Sequence, residues 1–351
     1  MKSRFSCLPF ACLLMAATAS ADTFVMKNGD RLDATILKET PDSYVLQVQI
    51  TKSIRDEKTV AKADVVEIIA EKMDEKAFEL IKGLVPVPDL QGNDEYDRRI
   101  VAVVGFIKNH PKSPLIPEAE KMLSTLKTEG VVVMGGGMKL GDKLITAEEY
   151  KADAYDIDAR IIEKRARDAA ARGDILGGLR GIDRLETDYK YTDSRRATAP
   201  LKQQLLKRYK AQIGEQLTTF DSRTAERNSG LARMTAEARA TTEQALAEEL
   251  ETTTRLMASE NEKNMRWVTT HPYHKDSLED AFDEIEDAMT DDIGDNDRNS
   301  GKIYRNVVRI IGEQSDHEVI KEVIGQAEEV EIPVKYIDKL KEIAKAKGVQ
   351  F

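Results

Sequence analysis

The sequence predicts an α+β protein, mostly α: a small amino-terminal β-barrel, then an array of helical hairpins with one long helical arm. Three observations point there. Residues 22–72 alternate apolar and polar side chains between turn residues, the period of strands. Further on, apolar residues recur at helical spacing in paired stripes. Composition agrees: 33% charged, 5% aromatic and one tryptophan in 351 residues suit extended helices with thin cores. At 41% hydrophobic the chain is too apolar for disorder.

The first 21 residues read as a signal peptide. Lys2 and Arg4 precede an apolar stretch at 8–17, and Ala19-Ser20-Ala21 is a small-x-small cleavage site. The mature protein would start at Asp22 and be periplasmic or secreted; the alternative is an uncleaved anchor. Cys7 and Cys12 both fall in this segment, so the mature chain would have no disulfide, thiolate nucleophile or Cys-ligated metal. Cleavage removes Lys2 and Arg4 and takes the formal charge from −10 to −12. An acidic exported protein is a poor partner for nucleic acid. No later apolar run is long enough to span a membrane.

The barrel comes next. Phe24-Val25-Met26 leads into Lys27-Asn28-Gly29-Asp30, a turn that tolerates positive φ. Leu32, Ala34 and Ile36 alternate, followed by Tyr44-Val45-Leu46-Gln47-Val48 and Val65-Val66-Glu67-Ile68. This pattern resembles the SH3-like or Sm-like barrels attached to many exported bacterial proteins, which implies an interaction or packing module. Residues 73–95 form a short helix and a linker. Val85-Pro86-Val87-Pro88-Asp89-Leu90 has two prolines two apart, which enforce extended backbone. An exported barrel followed by Pro-x-Pro-Asp-Leu resembles the uncharacterised bacterial PTPDL family, with Val87 in place of threonine. That resemblance implies no known activity.

Residues 96–200 are expected to form hairpin repeats. Tyr96, Ile100, Val103 and Ile107 make one stripe; Ile116, Ala119, Leu123 and Leu126 make the next. Pro111 stops the first helix, and Ser113 can cap the second with Pro114 at its first position. The phrase FIKNHPKSPLIPEAEKML resembles the tetratricopeptide-like units of periplasmic scaffold proteins. Val131-Val132-Val133-Met134 and the glycines 135–137 read as part of a β-hairpin at about 131–145, or a flexible connection. A phosphate loop is a poor reading, for no Gly-Lys-Ser/Thr follows. Thr146-Ala147-Glu148-Glu149 is a capping box opening a helix towards Arg172. Aligning Phe106, Leu185 and Trp267 places His110, Tyr189 and His271 at equivalent positions, a degenerate repeat.

From Leu201 to Val268 there is no proline. A thin stripe of Leu231, Met234, Ala238, Leu250 and Met257 in a Thr-, Ala- and Glu-rich background predicts a long arm over 201–268, broken near Asn228-Ser229-Gly230. Residues 269–351 should be further helical hairpins. Ser315-Asp316-His317-Glu318 is a second capping box, and Pro333 opens the last helix.

Motifs that carry chemistry are scarce. Of the four histidines only His271 and His274 are close in sequence, and no H-E-x-x-H occurs. The acidic run at 291–301 resembles a calcium loop with Asp295, Asp297 and Asn299 in place, but Ser300 and Asn306 replace its glycine and last glutamate. G-x-S-x-G is absent. The acidic run at 279–292 reads as a wet helical face. No catalytic, metal or cofactor residue is assigned. The sequence favours a non-enzymatic envelope scaffold or adaptor that binds another envelope protein, with Tyr189, Tyr191 and Trp267 as anchors near the repeated turns. The alternative is an envelope-polymer hydrolase using an Asp/Glu pair, or a structural spacer.

Overall fold

The computed structural model describes residues 22–49, 55–69, 72–291 and 299–351. The signal-peptide reading and the Asp295 and Asp297 positions of the calcium-like run lie outside them. Contacts divide the chain into two compact units, one up to Met134 and one from Gly135.

The first unit opens with five strands: β1 (Asp22–Met26), β2 (Arg31–Glu39), β3 (Ser43–Gln49), β4 (Arg55–Ala61) and β5 (Val65–Ile69). They form one antiparallel sheet in the order β4-β3-β2-β1-β5. Register follows the alternation. Phe24 pairs with Leu32 and Ile68, Ile36 with Leu46, and Tyr44 with Val60. Phe24, Ala34, Leu46 and Val60 thereby share a face and make the small core. The β1–β2 turn needs Gly29, whose φ is +89°.

Then come α1 (Met73–Ile81), α2 (Asn93–Asn109) and α3 (Ile116–Met134). Phe78, Val87, Tyr96, Val103, Phe106, Met122 and Leu126 bury one another, so the proline-rich linker packs on the helices through Val87. The Tyr96 hydroxyl donates to the buried Glu129 carboxylate at 2.9 Å. Ser113 accepts from Leu115 N but also donates to Asp74, and regular helix starts only at Ile116. The run 131–134 is the last turn of α3, not part of a hairpin: with Val133 buried in the helical core, it continues the 3.6-residue stripe.

The second unit begins with β6 (Met138–Leu140) and β7 (Lys143–Ile145), an antiparallel hairpin shorter than the sequence suggested. Among the described residues ten helices follow: α4 (Ala147–Ala152), α5 (Ala154–Ala171), α6 (Ile175–Asp188), α7 (Asp193–Thr218), α8 (Phe220–Ala232), α9 (Ala236–Glu262), α10 (Lys275–Thr290), α11 (Ser300–Glu313), α12 (His317–Glu329) and α13 (Val334–Lys345). The capping box at Thr146 forms as expected, with Glu149 N to Thr146 Oγ1 at 3.1 Å and Thr146 N to Glu149 Oε2 at 2.8 Å. The helix it opens stops at Asp153, whose carboxylate is held by Arg305 at 2.8 Å, and α5 starts afresh. At α12 the cap is Asp316, not Ser315.

Two cores hold this unit. Tyr155, Leu185 and Tyr189 pack with Tyr304, Ile311, Ile320, Tyr336 and Leu340. Leu179 and Ile182 pack with Leu205, Ile213, Trp267, Leu278 and Ile285. Helices α5, α6 and α7 approach closely because α6 carries glycines: a methyl on Gly181 would lie 2.8 Å from Ala166 Cβ, and one on Gly178 2.8 Å from Leu205 Cδ1. His110 and Tyr189 both cap helix C-termini, but His271, aligned with them in the sequence, lies in the irregular segment between α9 and α10.

The arm is shorter than the expected 201–268: residues 201–218 belong to α7, whose Leu205, Leu206, Tyr209 and Ile213 are buried in the second core, and the exposed part is the pair α8 and α9, joined by three residues. No residue of α8 is buried, and on α9 only Met257 and Glu260 are. Residues 228–230 do not break it. The break falls at 233–235, where Thr235 caps α9 and Arg239 donates to the last carbonyls of α8, at Leu231 and Ala232.

Candidate functional site at the root of the arm

One buried carboxylate fixes the end of α9. Glu260 Oε1 accepts from Arg180 of α6 at 2.7 Å and from Thr269 Oγ1 at 3.0 Å, and its Oε2 accepts from Thr269 N at 2.6 Å. Arg180 also donates to the Trp267 carbonyl at 2.8 Å. A buried charge with its oxygens satisfied by charge-assisted bonds is a strong local constraint. It folds residues 263–269 back over α6, with Asn264 at a φ of +50°.

Helix α10 then starts from a histidine cap. His274 Nδ1 accepts from Ser277 N at 3.1 Å, and the Ser277 hydroxyl accepts from His271 N and donates to the His274 carbonyl. His271 Nδ1 accepts from Tyr273 N, so both imidazoles are used in local backbone bonds. Burial lowers the His271 pKa, and Glu249 opposes this only in part. Among the described residues no three His, Cys, Asp or Glu side chains converge to hold a metal ion.

Between the carboxy-terminal half of α9, the returning loop and the first turns of α10 lies an open cavity of about 650 Å³. Thr254, Met257, Ala258 and Asn261 line it from α9; Asn264, Met265, Arg266, Trp267 and Thr269 from the loop; Asp280, Ala281 and Glu284 from α10. Tyr209 of α7 also lines it. Its hydroxyl is buried and makes no hydrogen bond of normal geometry. Burial raises this phenol's pKa, with Thr270 and Arg180 pulling the other way.

The two carboxylates of the cavity differ. Glu284 is bound by Arg266 Nε, and Arg266 Nη1 reaches Asp291 at 2.8 Å. Burial works against the charge on Arg266, but Glu284 and Asp291 outweigh it and raise its pKa. Buried Lys202 completes the cluster, 2.8 Å from Glu186 and 3.6 Å from Asp291. Asp280 is exposed, and among the described residues no cation pairs with it.

The three aromatic anchors named from sequence separate. Tyr189 is fully buried, its hydroxyl 2.6 Å from that of Tyr336 and 3.3 Å from Lys335 Nζ. Trp267 is 4% exposed and packs in the second core, with only its edge at the cavity. Tyr191 alone keeps substantial surface, in the α6–α7 connection with Lys190 over its ring. Two buried rings cannot serve as surface anchors: Tyr189, the C-cap of α6, packs among Tyr155 and Tyr336, and Trp267, in the loop between α9 and α10, packs in the second core. Residues missed from sequence are Asp280, Glu284, Asn261 and the Arg180–Glu260 pair. The spacing of the acidic run was legible; the fold-back that puts a cavity beside it was not.

Comparisons of the chain with protein-family models, with curated proteins and with solved structures find no match.

Proposed function

We propose that this chain is an exported, periplasmic or secreted scaffold or adaptor that binds another envelope protein and turns nothing over. The carrying observation is the open cavity at the arm's root. Its amides, hydroxyls and carboxylate beside Met257, Met265 and Trp267 suit the mixed surface of a protein segment. General acids and bases are commonly tuned by burial. The two carboxyls that burial pushes up, Asp156 and Asp183, do not line this cavity.

In the same reading the five-stranded sheet is an SH3-like or Sm-like barrel, which its order, with β5 returning beside β1, supports. The helical pairs are tetratricopeptide-like, and the Pro-x-Pro-Asp-Leu junction places the chain beside the PTPDL family. Affinity capture from the native envelope tests the function: Ala258→Phe, which fills the cavity, should abolish capture of the partner, Tyr191→Ala at the separate anchor in the α6–α7 connection should weaken it, and both should leave helicity unchanged.

A hydrolase of envelope polymers is the second reading, because Asp280 and Glu284 line one cavity. Turnover of wall fragments by the purified protein, lost in Glu284→Gln, would establish it and end the scaffold reading.

A further inference from the structure

Helix α10 carries seven acidic residues against Lys275 alone. Lys275, Arg266 and Lys210 engage Glu279, Glu284 and Glu286. Asp276, Asp280, Asp283 and Asp287 are all exposed and, among the described residues, have no cationic partner. Their spacing of four, three and four places them in one stripe along the helix. Like charges at that spacing repel, and Asp287 near the helix C-terminus is further disfavoured by the helix dipole. The helix keeps a row of uncompensated charge that its own packing does not require.

The stripe meets the cavity at Asp280. Inside, Met257, Ala258, Met265 and Trp267 provide apolar wall, and Asn261 and Asn264 offer amides at the rim. A separate observation also calls for a ligand there: the buried Tyr209 hydroxyl, a lining group that makes no hydrogen bond of normal geometry, with Thr270 as its polar neighbour. An orphaned buried hydroxyl costs free energy that a bound polar group would recover.

We infer that the cavity takes a lysine or arginine side chain from an extended segment of the partner protein, with the α10 stripe attracting further basic residues of that segment. This rests on the scaffold reading. The aliphatic stem lies along Met257, Met265 and Trp267, the cationic head meets Asp280, and the amides of Asn261 and Asn264 meet the segment's main chain. The apolar wall next to a single free carboxylate fits a long-stemmed cation better than a compact metal ion, for which no cluster of ligands exists among the described residues.

Trp267 is the sole tryptophan, so its emission reports on the cavity directly. The test titrates the mature protein with an acetylated, amidated peptide of alternating lysine and alanine, its glutamate counterpart, and spermidine. The lysine peptide should change Trp267 emission saturably. Asp280→Asn should weaken it about tenfold, and raising salt from about 0.05 M to about 0.5 M should weaken it several-fold. Asp280 is exposed, so its replacement leaves the fold intact, which circular dichroism verifies. Equal response to the glutamate peptide, spermidine binding as tightly as the peptide, or no effect of Asp280→Asn would each overturn the inference. If the lysine peptide leaves Trp267 unchanged while the protein still captures an envelope protein, the inference fails and the scaffold reading stands. Turnover of wall fragments would remove both.

Discussion

Asp156 shows how one carboxyl can set the pH behaviour of a helical unit. Its carboxylate occupies the space beside Gly301, in the first turn of α11, where any Cβ would collide with it. Arg305 donates to it at 3.0 Å. Burial, then neighbouring Asp153, nevertheless push its pKa up to about 6. The folded protein therefore holds this proton between about pH 4 and pH 6 while the unfolded chain releases it. Stability from this group is highest in acid and falls as pH rises through that window. Asp156→Asn keeps shape and acceptor without the charge. It should flatten the decline and stabilise the protein at pH 7 by about 1–3 kcal/mol. Denaturant titrations of both proteins from pH 4 to 7 check this; a difference that grows towards low pH would refute it. Gly301→Ala should cost about 2–3 kcal/mol at any pH, because overpacking against a carboxylate cannot be relieved by ionisation.

At the scale of elements, the arm depends on its root. Few apolar groups are buried along α8 and α9, and Thr224 Oγ1 and Arg227 Nε in α8 have no hydrogen-bond partner. Hairpin α2–α3 buries Tyr96, Val103, Phe106, Met122 and Leu126. Buried aliphatic and aromatic area sets local stability, so amides of 231–257 should exchange faster than those of 100–107. The opposite order, by segment-resolved hydrogen exchange, would contradict this packing argument. Arg180→Ala strips a buried carboxylate of its cation. It should cost about 3 kcal/mol and raise exchange in 255–269 first. The elements themselves were largely legible. Alternation located β1, β2, β3 and β5 but not the polar β4, whose RDEKTVA carries no apolar period; 3.6-residue stripes located most helices, and the Thr146 box formed as written. What failed were points where tertiary partners decide: Arg305 stops α4 at Asp153, Arg239 moves the arm's break past 228–230, and the triple valine joins α3 because Val133 finds a core. The site was less legible still. Its acidic stripe is in the sequence, but Arg180 and Glu260, which shape the cavity, lie far apart in the chain and carry no motif.

For the whole molecule, the proposed export and binding go with its acidic charge. No helix among the described residues is long and apolar enough to cross a membrane. Amino-terminal sequencing of the secreted protein should begin at Asp22; a product that keeps residues 8–17 would make a membrane anchor the better reading. A mature chain with a formal charge of −12 would attract basic partners over a Debye length of about 8 Å at physiological salt. That long-range attraction gains specificity only where one acidic face meets a cavity, as it does at Asp280. The most direct test places a photo-crosslinking residue at Ala258, exposed in the cavity, and in a second protein at Val334, which is 73% exposed at the start of α13 in the same unit and does not line the cavity. Binding at the arm's root predicts one discrete envelope-protein adduct from position 258 that is lost on Asp280→Asn, and none of that adduct from position 334. The same adduct from both positions, or none from 258 while wall fragments are consumed, would contradict it.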